Sequence, residues 1–248
     1  MGNIDEAVAR LRDALASVED LVLRSRRDAR RTSVGSVEAL ARGQHQVPDR
    51  PTDGSYVQPD RTTCGSSSLV MSRMLHDPAY ASWIATGHDA GTGRTDPRSP
   101  GQRFADESLA MHDRTNGATG RDGRLQLPWP KAVGTQPWAV AAEMSAASGS
   151  GVPGRAYEVR TVAPRDRGTT WDHIAAAVDG GHHVPLYVGN ARRPGHVVLV
   201  IGGTGDDLTL YDPASGRART VSRQDFSRGH LGVSGWDEPW FAVTPVAG

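Results

Sequence analysis

Only one of the 248 residues is a cysteine, Cys64. No intrachain disulfide can form, so the thiol is either a small buried hydrophobe or a reactive group. An excess of one charge is missing too. Lys+Arg and Asp+Glu both number 28, and no whole-molecule field draws the chain to nucleic acid or an anionic membrane. Lysine is nearly absent, with Lys131 standing alone among arginines, which fits a GC-rich coding sequence better than an arginine-specific function. No run of 18 apolar residues occurs, so no membrane span is expected. Met1-Gly2-Asn3-Ile4-Asp5-Glu6 lacks the basic region and unbroken apolar stretch of a secretory signal. The expectation is a cytoplasmic protein, with signal-independent export left open, and one unpaired thiol fits a reducing compartment.

What is present suits one sizeable domain with an extension, at 37% hydrophobic content. Ile4, Ala7, Val8, Leu11, Ala14, Leu15, Val18, Leu21 and Val22 follow the spacing of an amphipathic helix. It suits docking on the core, a partner or self-association. Residues 44–55, with Pro48, Pro51 and Gly54, read as a linker. The expected division is an N-terminal helical extension over 1–45 and a main domain over 46–248.

The local context of Cys64 favours a reactive thiol. Gly65-Ser66-Ser67-Ser68 follows it, then apolar pairs Val70/Met74 and Met71/Leu75, as in a helix running from about 64 to 76 with Asp77-Pro78 as its stop. A sulfur at a helix N-terminus meets free amides and a dipole that favour thiolate. Further on, 80–84 extends the helical layer. Residues 85–123 read as a long polar insert, mostly loop with one short helix at 104–111, either a lid or a passive loop. Another helix is expected over 136–147, a strand over 157–162 and a helix over 169–178. Strands then follow at 184–188, 196–201, 208–211, 218–221 and 240–244. Helices first and an antiparallel sheet afterwards make an α+β domain.

A nucleophilic thiol needs a base, and the base needs a group to hold its ring. His196 opens the apolar strand Gly195-His196-Val197-Val198-Leu199-Val200-Ile201, and Asp212 ends the next, Leu208-Thr209-Leu210-Tyr211-Asp212-Pro213. Strands joined by a hairpin lie about 4.8 Å apart, which brings this His and this Asp to one edge.

Gln58 six positions before Cys64, Cys64-Gly65 opening a helix, His196 opening a strand and Asp212-Pro213 after it together resemble the papain-like cysteine peptidases. They look nearest to the bacterial leader peptidases that cleave after double glycines. Cys64 and His196 are 132 positions apart, within the roughly 130 to 150 of the papain arrangement. The resemblance covers about 55–76 and 182–216, and the insert has no counterpart in it. It implies a papain-like α+β fold, with an N-terminal helical layer whose Cys helix packs on a C-terminal antiparallel sheet. It implies Cys64 as nucleophile, His196 as base and then acid, Asp212 as the orienting group, and Gln58 with the Cys64 N–H as oxyanion donors. The activity implied is hydrolysis of a peptide or protein substrate without a cofactor. An acyltransferase or transglutaminase-like enzyme, a cell-wall amidase effector or a silent interaction protein would use the same scaffold.

Other candidates read as structural. His182-His183 lacks carboxylate or thiol partners at metal-ligand spacing, and His76-Asp77, His88-Asp89 and His112-Asp113 fall at helix ends or in loops. Gly202–Gly205 is a hairpin turn with no helix behind it. Gly232-Val233-Ser234-Gly235 lacks the spacing of a serine nucleophile elbow.

Overall fold

A tight turn, Asp60-Arg61-Thr62-Thr63, sets the start of the first helix. The Asp60 carboxylate accepts from the Thr62 N–H at 2.7 Å and from the Thr62 hydroxyl at 2.8 Å. Helix α1, Cys64–His76, begins directly after it, with Thr63 at the cap position.

The computed structural model describes residues 55–89, 91–117, 134–146 and 148–246. The expected N-terminal helix, its linker and the division at 45/46 lie outside them. Leu69, Val70, Met71 and Met74 bury the apolar side of α1. Ser66, Ser67, Ser68 and Ser72 are buried as well, and their small side chains let the helix sit close against a strand. Asp77 leaves helical dihedrals before Pro78 and caps the next helix, α2 (Pro78–Thr86), by accepting from the Tyr80 N–H at 3.0 Å. A small hairpin of two-residue strands, β1 (His88–Asp89) and β2 (Arg94–Thr95), follows.

The polar insert differs from the expectation of mostly loop. Helix α3 spans Pro100–Thr115, opened by a capping box in which Ser99 and Gln102 exchange side-chain and backbone bonds. It packs on α1, and the buried Arg103 donates to the carbonyls of Ile84 and Ala85 at the end of α2. Residues 118–123 of the insert are outside the described set. Helix α4 is Pro137–Ser145.

Strand β3 (Tyr157–Thr161) leads through a 3-10 turn, Pro164–Asp166, into α5 (Arg167–Asp179). Then come β4 (Val184–Gly189), β5 (Pro194–Thr204), β6 (Asp207–Asp212), β7 (Arg217–Ser222), the short helix α6 (Arg223–Arg228) and β8 (Glu238–Pro245). The six long strands form one antiparallel sheet in the order β3-β8-β4-β5-β6-β7. Mixed helices and an antiparallel sheet agree with the α+β reading.

Helices cover both faces, not one. Val184, Leu186, Val188, Val198, Val200, Leu208 and Leu210 form a core with Trp171, Ile174 and Ala177 of α5 and Phe226 of α6. Residues of the other parity, among them Tyr187, Val197, Leu199 and Tyr211, are buried too, and α1 packs on β5. Burial on both faces explains why β5 reads as a nearly continuous apolar run rather than an alternating one.

Trp171 is 1% exposed and meets Phe226 edge-on at 5.4 Å. Trp171→Ala should cost about 3–5 kcal/mol through lost burial and a cavity, measured as a lower urea midpoint, whereas Trp171→Phe should cost much less.

Candidate active site

Segment 56–58 is tied to the end of β6. The Tyr211 hydroxyl donates to the Tyr56 carbonyl at 2.8 Å, and the Gln58 N–H donates to the Pro213 carbonyl at 2.9 Å. These two bonds carry the start of α1 to the neighbourhood of Asp212. At the helix start, the Thr63 hydroxyl turns back to the Asp60 carbonyl at 3.1 Å and makes no cap bond to the helix. The first-turn amides are therefore without a side-chain capping acceptor, beside the Cys64 sulfur.

On the sheet, Leu199 pairs with Tyr211. That register puts Val198 opposite Asp212 and His196 at the diagonal position two residues on, within reach of a long side chain. His196 Nε2 lies 2.8 Å from Asp212 Oδ1, and Cys64 is near enough to His196 to favour its charged form. With Nε2 committed to the carboxylate, Nδ1 is the nitrogen left for sulfur.

Asp212 is fully buried and well supplied with donors. The Ala214 N–H reaches Oδ1 at 3.1 Å, while the hydroxyls of Ser234 and Ser215 reach Oδ2 at 2.7 Å and 3.2 Å. Burial pushes its pKa up, but the His196 and Ser234 bonds outweigh it and hold the group at about 2. For His196, burial works against the charged form; the bond to Asp212 and the nearby Cys64 prevail, and its pKa rises to about 9.

The site is enclosed. Cys64 is 1% exposed and His196 5%, so their interaction is little screened by water. Gly134, at φ +80, faces the sulfur with a bare Cα: a Cβ there would lie 3.5 Å from Sγ. Thr135 presses on Gly65, where a Cβ would come within 2.7 Å of it. Gly195, just before His196, is covered by the Trp236 ring, which would meet a Cβ at 2.3 Å.

Cys64, His196 and Asp212 are thus brought together. Gln58 is held beside Pro213 through its backbone, but its side-chain Nε2 donates to the Asp60 carbonyl at 2.6 Å. One N–H of that amide is left for another acceptor. Sequence reasoning missed Ser234 as a partner of Asp212, a role that arises only from tertiary contact. His183 Nδ1 sits 3.2 Å from the Ser72 hydroxyl and His182 Nδ1 3.4 Å from the Tyr157 hydroxyl. Among the described residues no group of three or more His, Cys, Asp or Glu is placed to hold a metal ion, and no helix is long and apolar enough to cross a membrane.

No family model matches the chain, and no curated protein matches it. Among solved structures, the crystal structure of the Pseudomonas avirulence protein AvrPphB is similar at 16% identity, over 80% of this chain and 100% of that one, with a TM-score of 0.41. A similarity that slight does not bear on what this chain does.

The raised His196 pKa fixes a sign. Its protonated form contributes stability fully below about 6.5, and that contribution is lost as pH rises through about 9. An NMR titration of His196 should give a midpoint near 9 in the wild type and a lower one, toward 6.5, in Asp212→Asn. An unchanged midpoint would remove Asp212 as the cause.

Proposed function

We propose that the protein is a papain-like cysteine hydrolase that cleaves amide bonds in peptides or proteins. The observation that carries this reading is the buried His196–Asp212 pair, with Asp212 ionised, beside the buried Cys64 thiol.

In this reading the Cys64 thiolate attacks the substrate carbonyl carbon and the carbonyl π electrons move to oxygen. The Cys64 N–H and the uncommitted N–H of Gln58 receive that oxyanion. Imidazolium His196 gives its Nδ1 proton to the departing amine as the C–N bond breaks, leaving a thioester. Neutral His196 then takes a proton from water, the hydroxide attacks the thioester, and the carboxylic product leaves as thiolate and imidazolium are restored. Asp212 keeps the ring oriented throughout. No cofactor enters.

The narrower likeness to double-glycine leader peptidases rests on the residue pattern from Gln58 to Asp212 alone. Residues 1–45 are assigned to an extension that binds a partner or a second copy, and 46–248 to the hydrolase domain. A cytoplasmic site of action is part of the same reading.

Two measurements test it. Near pH 6, iodoacetamide should alkylate Cys64 in the wild type roughly tenfold faster or more than in His196→Ala, because in this reading His196 activates the thiol; equal rates would sink that claim. A peptide-library digest should show cleavage by the wild type and none by Cys64→Ala. Products carrying an added amine would assign a transferase instead, and no turnover by a reactive thiol would overturn the peptidase reading.

A further inference from the structure

Ser234 stands out on backbone grounds. Among the described residues it is the one non-glycine with positive φ, at +50. With Gly235 at φ +80 it forms the two-residue tip of a tight turn, closed by Val233 N–H to Trp236 O at 3.0 Å and Trp236 N–H to Val233 O at 2.9 Å. Such a turn favours Asn, Asp or Gly at the Ser234 position, and serine gains nothing there from conformation. An outlier of this kind points to use of the side chain.

The side chain has a use. Ser234 Oγ donates to Asp212 Oδ2 at 2.7 Å. The other hydroxyl and the amide on that carboxylate, Ser215 and Ala214, belong to the turn that immediately follows Asp212 and move with it. Ser234 comes from 22 residues away and is anchored independently. Gly232 N–H bonds the Asp237 carboxylate at 3.0 Å, Asp237 N–H bonds the Gly189 carbonyl at 3.0 Å, and Val233 is buried. Two residues on, the Trp236 ring lies on Gly195, next to His196. One turn therefore touches Asp212 and the residue next to His196.

We infer that Ser234 is a positioning residue: from a strained turn tip it fixes the rotation of the Asp212 carboxylate, and through it the His196 ring that serves Cys64. The effect on turnover rests on the hydrolase reading, whereas the effect on the His196–Asp212 bond does not.

Ser234→Gly relieves the backbone and removes the hydroxyl, and Ser234→Asn keeps a residue suited to the turn and supplies an amide donor. The glycine variant should still fold cooperatively, because relief at the turn offsets part of the lost hydrogen bond. Its kcat should nonetheless fall about tenfold or more with little change in KM, as for loss of one hydrogen bond to a charged group. The far-downfield proton NMR signal of His196 Nε2–H should weaken or broaden. Ser234→Asn should restore both in part. A glycine variant with wild-type kcat and an unchanged Nε2–H signal would overturn the inference, as would activity lost only in step with unfolding. If the wild type cleaves nothing while the Nε2–H signal still depends on Ser234, the hydrolase reading falls and the positioning role stands.

Discussion

A buried carboxylate is the constraint on which the site depends. Asp212 is fully buried and ionised, with a pKa of about 2, and an isolated charge in such a place would cost far more than a fold can bear. It persists because His196, Ala214, Ser215 and Ser234 engage its two oxygens. Its charge, together with Cys64, in turn favours the protonated imidazole. Removing either partner leaves the other stranded, so the pair behaves as a unit.

The sheet supplies the rigidity that this unit needs. His196 and Asp212 sit on adjacent strands whose register is fixed by apolar residues buried on both faces, and slipping by one residue would exchange the faces. Helix α1 reaches the same place by other means. Its serine-rich seam permits close approach to β5, and the ties of Tyr56 and Gln58 to β6 hold its first turn.

Much of this was legible in the sequence. The Cys64 helix ends where Asp77-Pro78 requires, and the six long strands fall where apolar runs and turn residues place them. The His196–Asp212 pair followed from one hairpin. Helix α3 was harder because its apolar residues are sparse, although Ser99-Pro100-Gly101-Gln102 carries the capping signal in plain view. The second helical face was hidden because burial on two sides erases alternation in β5. Ser234 could not be read as a partner of Asp212, since nothing local connects a turn tip to a carboxylate 22 residues earlier. Gln58 illustrates a different limit: its position is set by spacing, but its amide's partner, Asp60, is set by the turn.

The coupling of His196 to Asp212 also bears on why a thiol suits this site. With its pKa near 9, the imidazole carries its proton at neutral pH. A hydroxyl nucleophile needs a neutral base to take its proton during attack. In the proposed reaction a protonated ring suits a thiol instead. That charge belongs to the carboxylate and the sulfur together, because Asp212 and Cys64 both raise the imidazole pKa. Replacing the sulfur would therefore lower it as well as remove the thiol.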